Sequence, residues 1–147
     1  MIVEDLYYNT IYPEMKKYVE ANSIYSPLVT KKYTNQSKKF PIVPTKLMPV
    51  INHFSTLNYN EQIYEFGIDI NVYSIDKTIN DKKISGETIC NEVTEKIVEF
   101  FYKNYRITIK KELDVENIDS SVHRNNIKIS GVLDTKYGID NLIIYPQ

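Results

Sequence analysis

The segment from Ile63 to the C-terminus constrains the fold most, because its apolar residues follow two different periods. Over residues 64–73 apolar and polar side chains alternate, which places them on opposite faces of a strand. A polar loop over 76–84 leads to Ser85, a predicted N-cap, and then to an apolar stripe with helical spacing. The strand's apolar face holds Phe66, Ile68, Ile70 and Val72, and its polar face Glu65, Asp69 and Asn71. The helix stripe holds Ile89, Val93, Ile97, Phe100 and Phe101.

Further strands are predicted after this helix. Residues 106–113 and 122–133 alternate, and Gly131 indicates a bulge or the close approach of another backbone. We expect Glu112–Glu116 to extend the first of these strands, so that alternate acidic side chains share a face. Residues 142–145 predict a short terminal strand.

The N-terminal part is predicted to be helical and then irregular. Residues 3–21 have helical periodicity, and Pro13 predicts a kink or two short helices. The following 22–39 segment reads as a long loop with a short strand near 28–33. Three prolines limit the apolar segment 40–50 to an edge strand. Residues 52–62 read as a turn.

The whole chain predicts a single α+β domain over residues 1–147. It consists of an N-terminal helix (1–21), a long loop (22–39) and an α+β core (40–147). The predicted core is a mixed, mostly antiparallel sheet with one amphipathic helix packed on it. At 147 residues the chain is large enough to bury about two-thirds of its unfolded surface.

Composition narrows the classes of function. A formal net charge of −1 disfavours binding to nucleic acid, which normally needs a basic excess. No apolar run approaches the roughly 20 residues that cross a bilayer, and an early acidic pair argues against a signal peptide. The single cysteine, Cys90, agrees with a reducing compartment. These features predict a cytoplasmic protein that binds no membrane and no specific nucleic acid.

The residues with reactive side chains do not form a recognisable catalytic motif. His53 and His123 lack metal-ligand spacing and are predicted to be structural or surface residues. Cys90 lies beside the apolar helix stripe and is predicted to be a core residue. With four glycines there is no phosphate-binding loop and no dinucleotide fingerprint. We therefore predict no catalytic residue, no cofactor and no metal.

Charged segments are the candidates for contacts with partners. An acidic strip is predicted to be a solvated strand face or a surface that meets a neighbour: Glu112, Asp114, Glu116 and Asp119. The lysine pairs at 31–32, 38–39, 82–83 and 110–111 fall mostly in loops and could contact acidic strips of neighbouring copies. The 13 tyrosines include side chains of a type enriched at assembly surfaces, although most are assigned to the fold's own core and rim.

The order of these segments resembles the tail-terminator or tail-completion proteins of tailed bacteriophages and phage-tail-like bacteriocins. The resemblance covers about 110 residues and rests on order and spacing. It is carried by Phe40–Val43, the strand Tyr64–Ser74, the helix Ile89–Ile97, the segment Val122–Gly131, Leu133 and the closing Ile144–Tyr145.

The resemblance implies a structural protein rather than an enzyme. Members form a homo-oligomeric ring, typically of six copies, that caps the tail tube, stops its polymerisation and docks the head connector or collar. The implied partners are other copies, tail-tube and sheath subunits, and the connector or collar protein. The implied location is the host cytoplasm during assembly and then the virion tail or tail-like particle.

Ten residues are predicted to lie at partner interfaces, from their charge or from their place on a terminal strand. They are Lys31, Lys32, Lys38, Lys39, Glu112, Asp114, Glu116, Arg124, Ile143 and Tyr145. Three alternative functions remain open. The first is a head-completion, neck or other tail subunit, and the second is a small-molecule-binding or catalytic α+β domain. The third, a nucleic-acid adaptor, would need a basic face.

Overall fold

The protein has an α+β fold in which helices pack on a mostly antiparallel sheet. The computed structural model describes residues 2–31, 39–54, 62–117 and 119–134. The helices are α1 (Ile2–Leu6), α2 (Tyr12–Asn22) and α3 (Gly86–Asn104), with a π-helical turn over Tyr7–Ile11. The strands are β1 (Leu28–Thr30), β2 (Ile42–Leu47), β3 (Ile51–Phe54), β4 (Gln62–Ser74), β5 (Lys77–Ile79), β6 (Lys82–Ile84), β7 (Thr108–Glu112) and β8 (His123–Asp134). The predicted fold class is confirmed.

The N-terminal helix is interrupted at the predicted place. The amide of Tyr12 donates to the carbonyl of Tyr7, a wider turn than the α-helical one, directly ahead of Pro13. Proline has no amide hydrogen, so the backbone has to leave the α-helical pattern in this turn. The buried stripe continues through the interruption: Val3, Leu6, Tyr7, Ile11, Tyr12, Met15 and Val19.

The main sheet has the strand order β1-β2-β4-β8-β7, with β3 also paired to β4. Its centre is the long antiparallel pair of β4 and β8, in register from Ile63 with Asp134 to Ser74 with His123. Strand β1 pairs with β2 in parallel, and the other pairs in this sheet are antiparallel. The alternation predicted for β4 and β8 is confirmed by the burial of their apolar sets.

The proline-rich segment lies inside the sheet, so its prediction as an edge strand is wrong. Strand β2 pairs with β4 on one side and, at Ile42, Val43 and Pro44, with β1 on the other. Only one of the three prolines falls within β2, because the others flank it. The sheet therefore tolerates the segment in an interior position.

The turn predicted for 52–62 is wrong at its start, where β3 pairs with β4. Leu47 of β2 is opposite Ile68 of β4, and Ile51 of β3 is opposite Glu65 of β4. The chain between Leu47 and Ile51 has one residue more than the chain between Glu65 and Ile68. This extra residue is a bulge that joins β2 and β3 along one side of β4.

Residues 76–84 form a hairpin, although the sequence predicted only a loop. Strands β5 and β6 pair around Asn80 and Asp81, whose φ angles are 52° and 65°. Two consecutive residues with positive φ make the tight turn typical of two-residue hairpins. The hairpin leads into α3, where the Ser85 hydroxyl accepts the Thr88 amide at 3.1 Å, as predicted for an N-cap.

The core lies between the helices and one face of the main sheet. The predicted stripe of α3 is fully buried, and Cys90 is buried with it. Strand β8 remains in register through Gly131, so the predicted bulge is absent, and the close neighbour is a side chain rather than a backbone. A Cβ at Gly131 would lie 2.5 Å from the Phe66 ring.

Candidate assembly interface

The main sheet has a second face, which we call the open face. Its side chains alternate with the core set and are exposed or half-buried, apart from Asn126 at 7% exposure. We define the open face by Glu65, Gly67, Asp69, Asn71 and Tyr73 of β4, Arg124, Asn126, Lys128, Ser130 and Val132 of β8, and Thr108, Lys110 and Glu112 of β7.

A hydrogen-bonded network holds the middle of the open face. The Asn126 amide nitrogen lies 2.8 Å from Asp69 Oδ1, 3.0 Å from Asn71 Oδ1 and 3.3 Å from the Ile70 carbonyl oxygen. Arg124 Nε donates to the same Asn71 oxygen at 2.9 Å. These bonds use one carboxylate oxygen of Asp69 and the amide oxygen of Asn71, and the bond from Nε orients the Arg124 guanidinium group. The result is a hydrogen-bonded polar surface that includes the Arg124 cation.

A row of charges crosses the open face beside this network. Lys46 of β2 is opposite Asp69 of β4, and Asp69 is opposite Lys128 of β8. Lys128 is in turn opposite Lys110 of β7. The last two are lysines directly opposite each other on neighbouring strands. Like charges in that position are destabilising, so a carboxylate placed next to them would be attracted.

The other end of the sheet exposes apolar side chains. Ile51, Glu65 and Val132 are in register on three strands, and Ile51 and Val132 are 54% and 49% exposed. They line a depression of about 360 Å³, and the small residues Gly67 and Ser130 line it with them. Apolar side chains around a small-residue depression form a surface that a protein partner can cover.

A second groove, of about 660 Å³, lies at the β2 side of the sheet. Tyr8, Lys31, Lys46, Asp69 and Tyr73 are among the residues that line it. The Lys31 ammonium is 5.3 Å from the centroid of the Tyr8 ring and 5.4 Å from that of Tyr12. These cation–π contacts hold the lysine beside the groove.

The two strands that end the sheet differ in their outer edges. At β1, the amide of Val29 donates to Glu20 Oε2 at 3.0 Å, and its carbonyl accepts from Lys16 Nζ at 2.8 Å. The same lysine and glutamate form an ion pair at 2.7 Å. Side chains of α2 therefore occupy both backbone groups of Val29. At β7, the last described strand on the other side, Ile109 is half-buried and the remaining side chains are exposed.

The predicted interface residues are distributed over several parts of the fold. Lys31 borders the β2 groove, Lys39 is exposed ahead of β2, and Arg124 lies on the open face. Glu112, Asp114 and Glu116 are exposed at the end of β7 and beyond. Lys32, Lys38, Ile143 and Tyr145 lie outside the described residues.

The predicted extension of β7 through the acidic strip is wrong. The strand ends at Glu112, and Asp114 has a φ of 52°. The amide of Asp114 donates to Asn125 Oδ1 at 2.9 Å, and the amide of Val115 donates to the Arg124 carbonyl at 2.8 Å. This left-handed residue turns the chain, so the acidic side chains do not share one strand face.

The sequence interpretation missed Lys46, Lys128 and Asn126 as site residues. Their signal was present in the alternation, because each lies among the polar positions of a strand. The missing information was which strands are neighbours, since only the register places Lys46, Lys128 and Lys110 in one row.

The residues with reactive side chains, Cys90 and His123, have structural roles in the fold. Burial raises the pKa of the Cys90 thiol to about 12, which keeps it protonated. His123 Nε2 is 3.5 Å from Asp76 Oδ1, and that carboxylate accepts the Gly86 amide at 2.8 Å, which lowers the Asp76 pKa. Within the described ranges, no three His, Cys, Asp or Glu side chains are grouped to hold a metal ion.

Comparison with known proteins gives no family assignment. No protein-family model matches the chain, and no curated protein matches it significantly. Among the described helices, none is long and apolar enough to cross a membrane.

Proposed function

We propose that the protein is a structural assembly subunit, a tail terminator of a bacteriophage or phage-tail-like particle. It forms a ring, typically of six copies, that caps the tail tube and stops its polymerisation. The observation that carries the proposal is the exposed side of the sheet, where the hydrogen-bonded network of the open face lies beside the exposed side chains of Ile51 on β3 and Val132 on β8. A surface of that composition is suited to binding another protein.

The sheet also has the asymmetry that a ring subunit needs. A ring is built from heterologous contacts, in which each copy offers two different surfaces to its neighbours. On the β1 side, helix α2 covers the backbone of Val29, whereas β7 on the other side presents an exposed strand. The two sides are therefore chemically distinct surfaces.

In this function the partners are other copies of the chain, the tail-tube and sheath subunits, and the head-connector or collar protein. The protein acts in the host cytoplasm during assembly and remains in the virion tail or tail-like particle. A head-completion or neck subunit would use the same surfaces, and the choice of partner in the experiment below separates the two.

The test measures absolute mass by light scattering, alone and with the tail-tube subunit of the same particle, and tube length by electron microscopy. We expect rings in solution or on tube ends, and tubes of fixed length. Replacing the exposed Ile51 and Val132 with aspartate should abolish capping, while Tyr102→Asp on α3, which is 58% exposed, should not. A folded monomer that leaves tube growth unchanged would refute the proposal.

The β2 groove supports a second candidate function, the binding of a small molecule. Its volume of about 660 Å³ is within the range of ligand sites, and Tyr8, Tyr73 and Lys31 give it aromatic and cationic walls. A thermal-shift screen of small anionic and aromatic compounds tests this candidate. A hit that protects the protein, and that Lys31→Ala together with Tyr73→Ala removes, would favour it.

A further inference from the structure

The outer edge of β7 differs from the outer edge of β1 in a way that points to a binding mode. An edge strand presents unpaired amide and carbonyl groups, and these are a template for the addition of another strand. At β1, three hydrogen bonds from α2 side chains reach Val29: Glu20 accepts its amide at 3.0 Å, and Lys16 and Tyr12 donate to its carbonyl at 2.8 Å and 3.4 Å. An incoming strand would have to displace all three.

No such bonds occur at β7 among the described residues. Strand β7 pairs with β8 along one side, from Thr108 with Ser130 to Glu112 with Asn126. Beyond it the sheet has no further described strand. The edge is five residues long, which gives an added strand two or three positions for hydrogen bonding.

The charged side chains of β7 determine which kind of strand can be added at its edge. Lys110 and Lys111 lie at the centre of the edge, one on each face of the sheet, and both are exposed. If two copies paired through β7 in the antiparallel register that uses all five residues, Lys110 would face Lys110 of the second copy. Like charges directly opposite each other destabilise a strand pair. Lys110 therefore acts against self-pairing.

The same lysines favour an acidic partner. On the open face Lys110 is opposite Lys128, and the two ammonium groups repel each other. A carboxylate on an added strand would lie on the other side of Lys110 and offset this repulsion. Opposite-charge pairs across strands are stabilising, and residues opposite Lys110 and Lys111 are consecutive in the added strand. A pair of adjacent acidic residues in an extended segment matches this edge.

We propose that β7 binds an extended segment of another protein chain by strand addition, with two adjacent acidic residues opposite Lys110 and Lys111. This inference goes beyond the tail-terminator function and does not depend on it, because the edge would bind such a segment in any assembly.

The experiment measures backbone amide hydrogen exchange of the full-length protein with two short synthetic peptides. Both consist of threonine and valine, and they differ only in a central pair of glutamates or lysines. We expect the glutamate peptide to slow exchange of outward amides over 108–112 by about tenfold or more, while the lysine peptide has no effect. The Val29 amide should be protected in both cases.

A charge-swapped protein gives the matched control. The double variant Lys110→Glu, Lys111→Glu should reverse the preference, so that the lysine peptide protects β7 and the glutamate peptide does not. These exposed positions make misfolding a minor concern, and the unchanged exchange of the β4 and β8 amides verifies the fold.

Several results would overturn the inference. Equal protection of the 108–112 amides by both peptides would refute the charge selectivity. Protection by neither peptide would refute strand addition. Slower amide exchange over residues 45–47, and not over 108–112, would place the bound peptide at the β2 groove. Protection of β7 that grows with protein concentration, without peptide, would make a second copy the occupant. Failure of tube capping with intact peptide binding would contradict only the proposed function.

Discussion

The hydroxyl of Tyr7 provides a quantitative test of the packing around the π-helical turn. The side chain is 2% exposed, and its hydroxyl has no hydrogen-bond partner among the described residues. Its ring packs against Tyr8 and Tyr12 at centroid distances of 4.9 Å and 6.0 Å. Burial raises the pKa of the phenol, so the group is neutral at any physiological pH. The fold therefore gains the packing of the ring and loses the hydration of the hydroxyl.

Replacing Tyr7 with phenylalanine should stabilise the protein. A buried polar group without a partner costs about 1 to 3 kcal/mol, and phenylalanine removes this cost while it keeps the ring. We expect a gain of about 1 to 2 kcal/mol in the free energy of unfolding. For a domain of this size, that gain corresponds to a rise of about 3 to 6 °C in Tm.

The assay is urea denaturation, monitored by circular dichroism. The slope of the free energy of unfolding against urea concentration should be the same for all variants. Tyr18→Phe is the matched control, because its hydroxyl donates to Glu99 Oε2 at 2.8 Å and accepts from Lys103 Nζ at 3.2 Å. This control should lose about 0.5 to 1 kcal/mol. If Tyr7→Phe were instead destabilising by a similar amount, the hydroxyl would have a bonded partner and the reasoning would be wrong.

Three further variants or conditions test other parts of the fold. Gly131→Ala should cost about 1 to 3 kcal/mol in urea denaturation because its Cβ would overlap an aromatic ring, whereas Gly67→Ala, whose nearest atoms are at 3.6 Å, should not destabilise. Asn126→Asp should cost about 2 to 3 kcal/mol in the same assay, because it removes the amide donors and places a second carboxylate beside Asp69. Since the folded protein holds the Cys90 proton up to about pH 12, the unfolded state loses that proton first as the pH rises. The contribution of Cys90 to stability should then fall with rising pH, with a slope that approaches about 1.4 kcal/mol per pH unit above about pH 9, and Cys90→Ala should remove this contribution between pH 8.5 and 10.

The elements that the sequence predicts well are those with long, regular periods. Strand β4 and helix α3 each repeat one pattern over several residues, so their buried sets were identified correctly down to Ile70 and Ile97. The Ser85 cap was also predictable, because the residue type and its position before an apolar stripe identify a helix start.

The short elements were not predictable from periodicity. Strands β5 and β6 have three residues each, and their turn is formed by Asn80 and Asp81 rather than by a pair that contains glycine. Aspartate adopts the left-handed conformation more readily than most residues, but the sequence does not single out Asp114 from the other aspartates. That conformation is supported by the hydrogen bond from the Asp114 amide to the Asn125 side chain, 11 residues later on the neighbouring strand.

The candidate interface was predictable only in part, because it depends on which strands are neighbours. Arg124 was identified from its charge, whereas the partner that orients it, Asn71, lies on another strand. The same limit applies to the outer edge of β1. In the sequence Lys16 and Glu20 look like an ordinary helical ion pair, and only the fold shows that both also bind the backbone of Val29.

The long pairing of β4 and β8 also has a mechanical consequence. Twelve residues on each strand are in register over a length of about 40 Å. A force along the strands loads all the hydrogen bonds of this ladder together, whereas a force across its end breaks them one after another. This fold should therefore resist tension along β4 and β8 far better than peeling from the β7 side. In a particle that transmits load, the orientation of these two strands relative to the direction of pull would determine the rupture force.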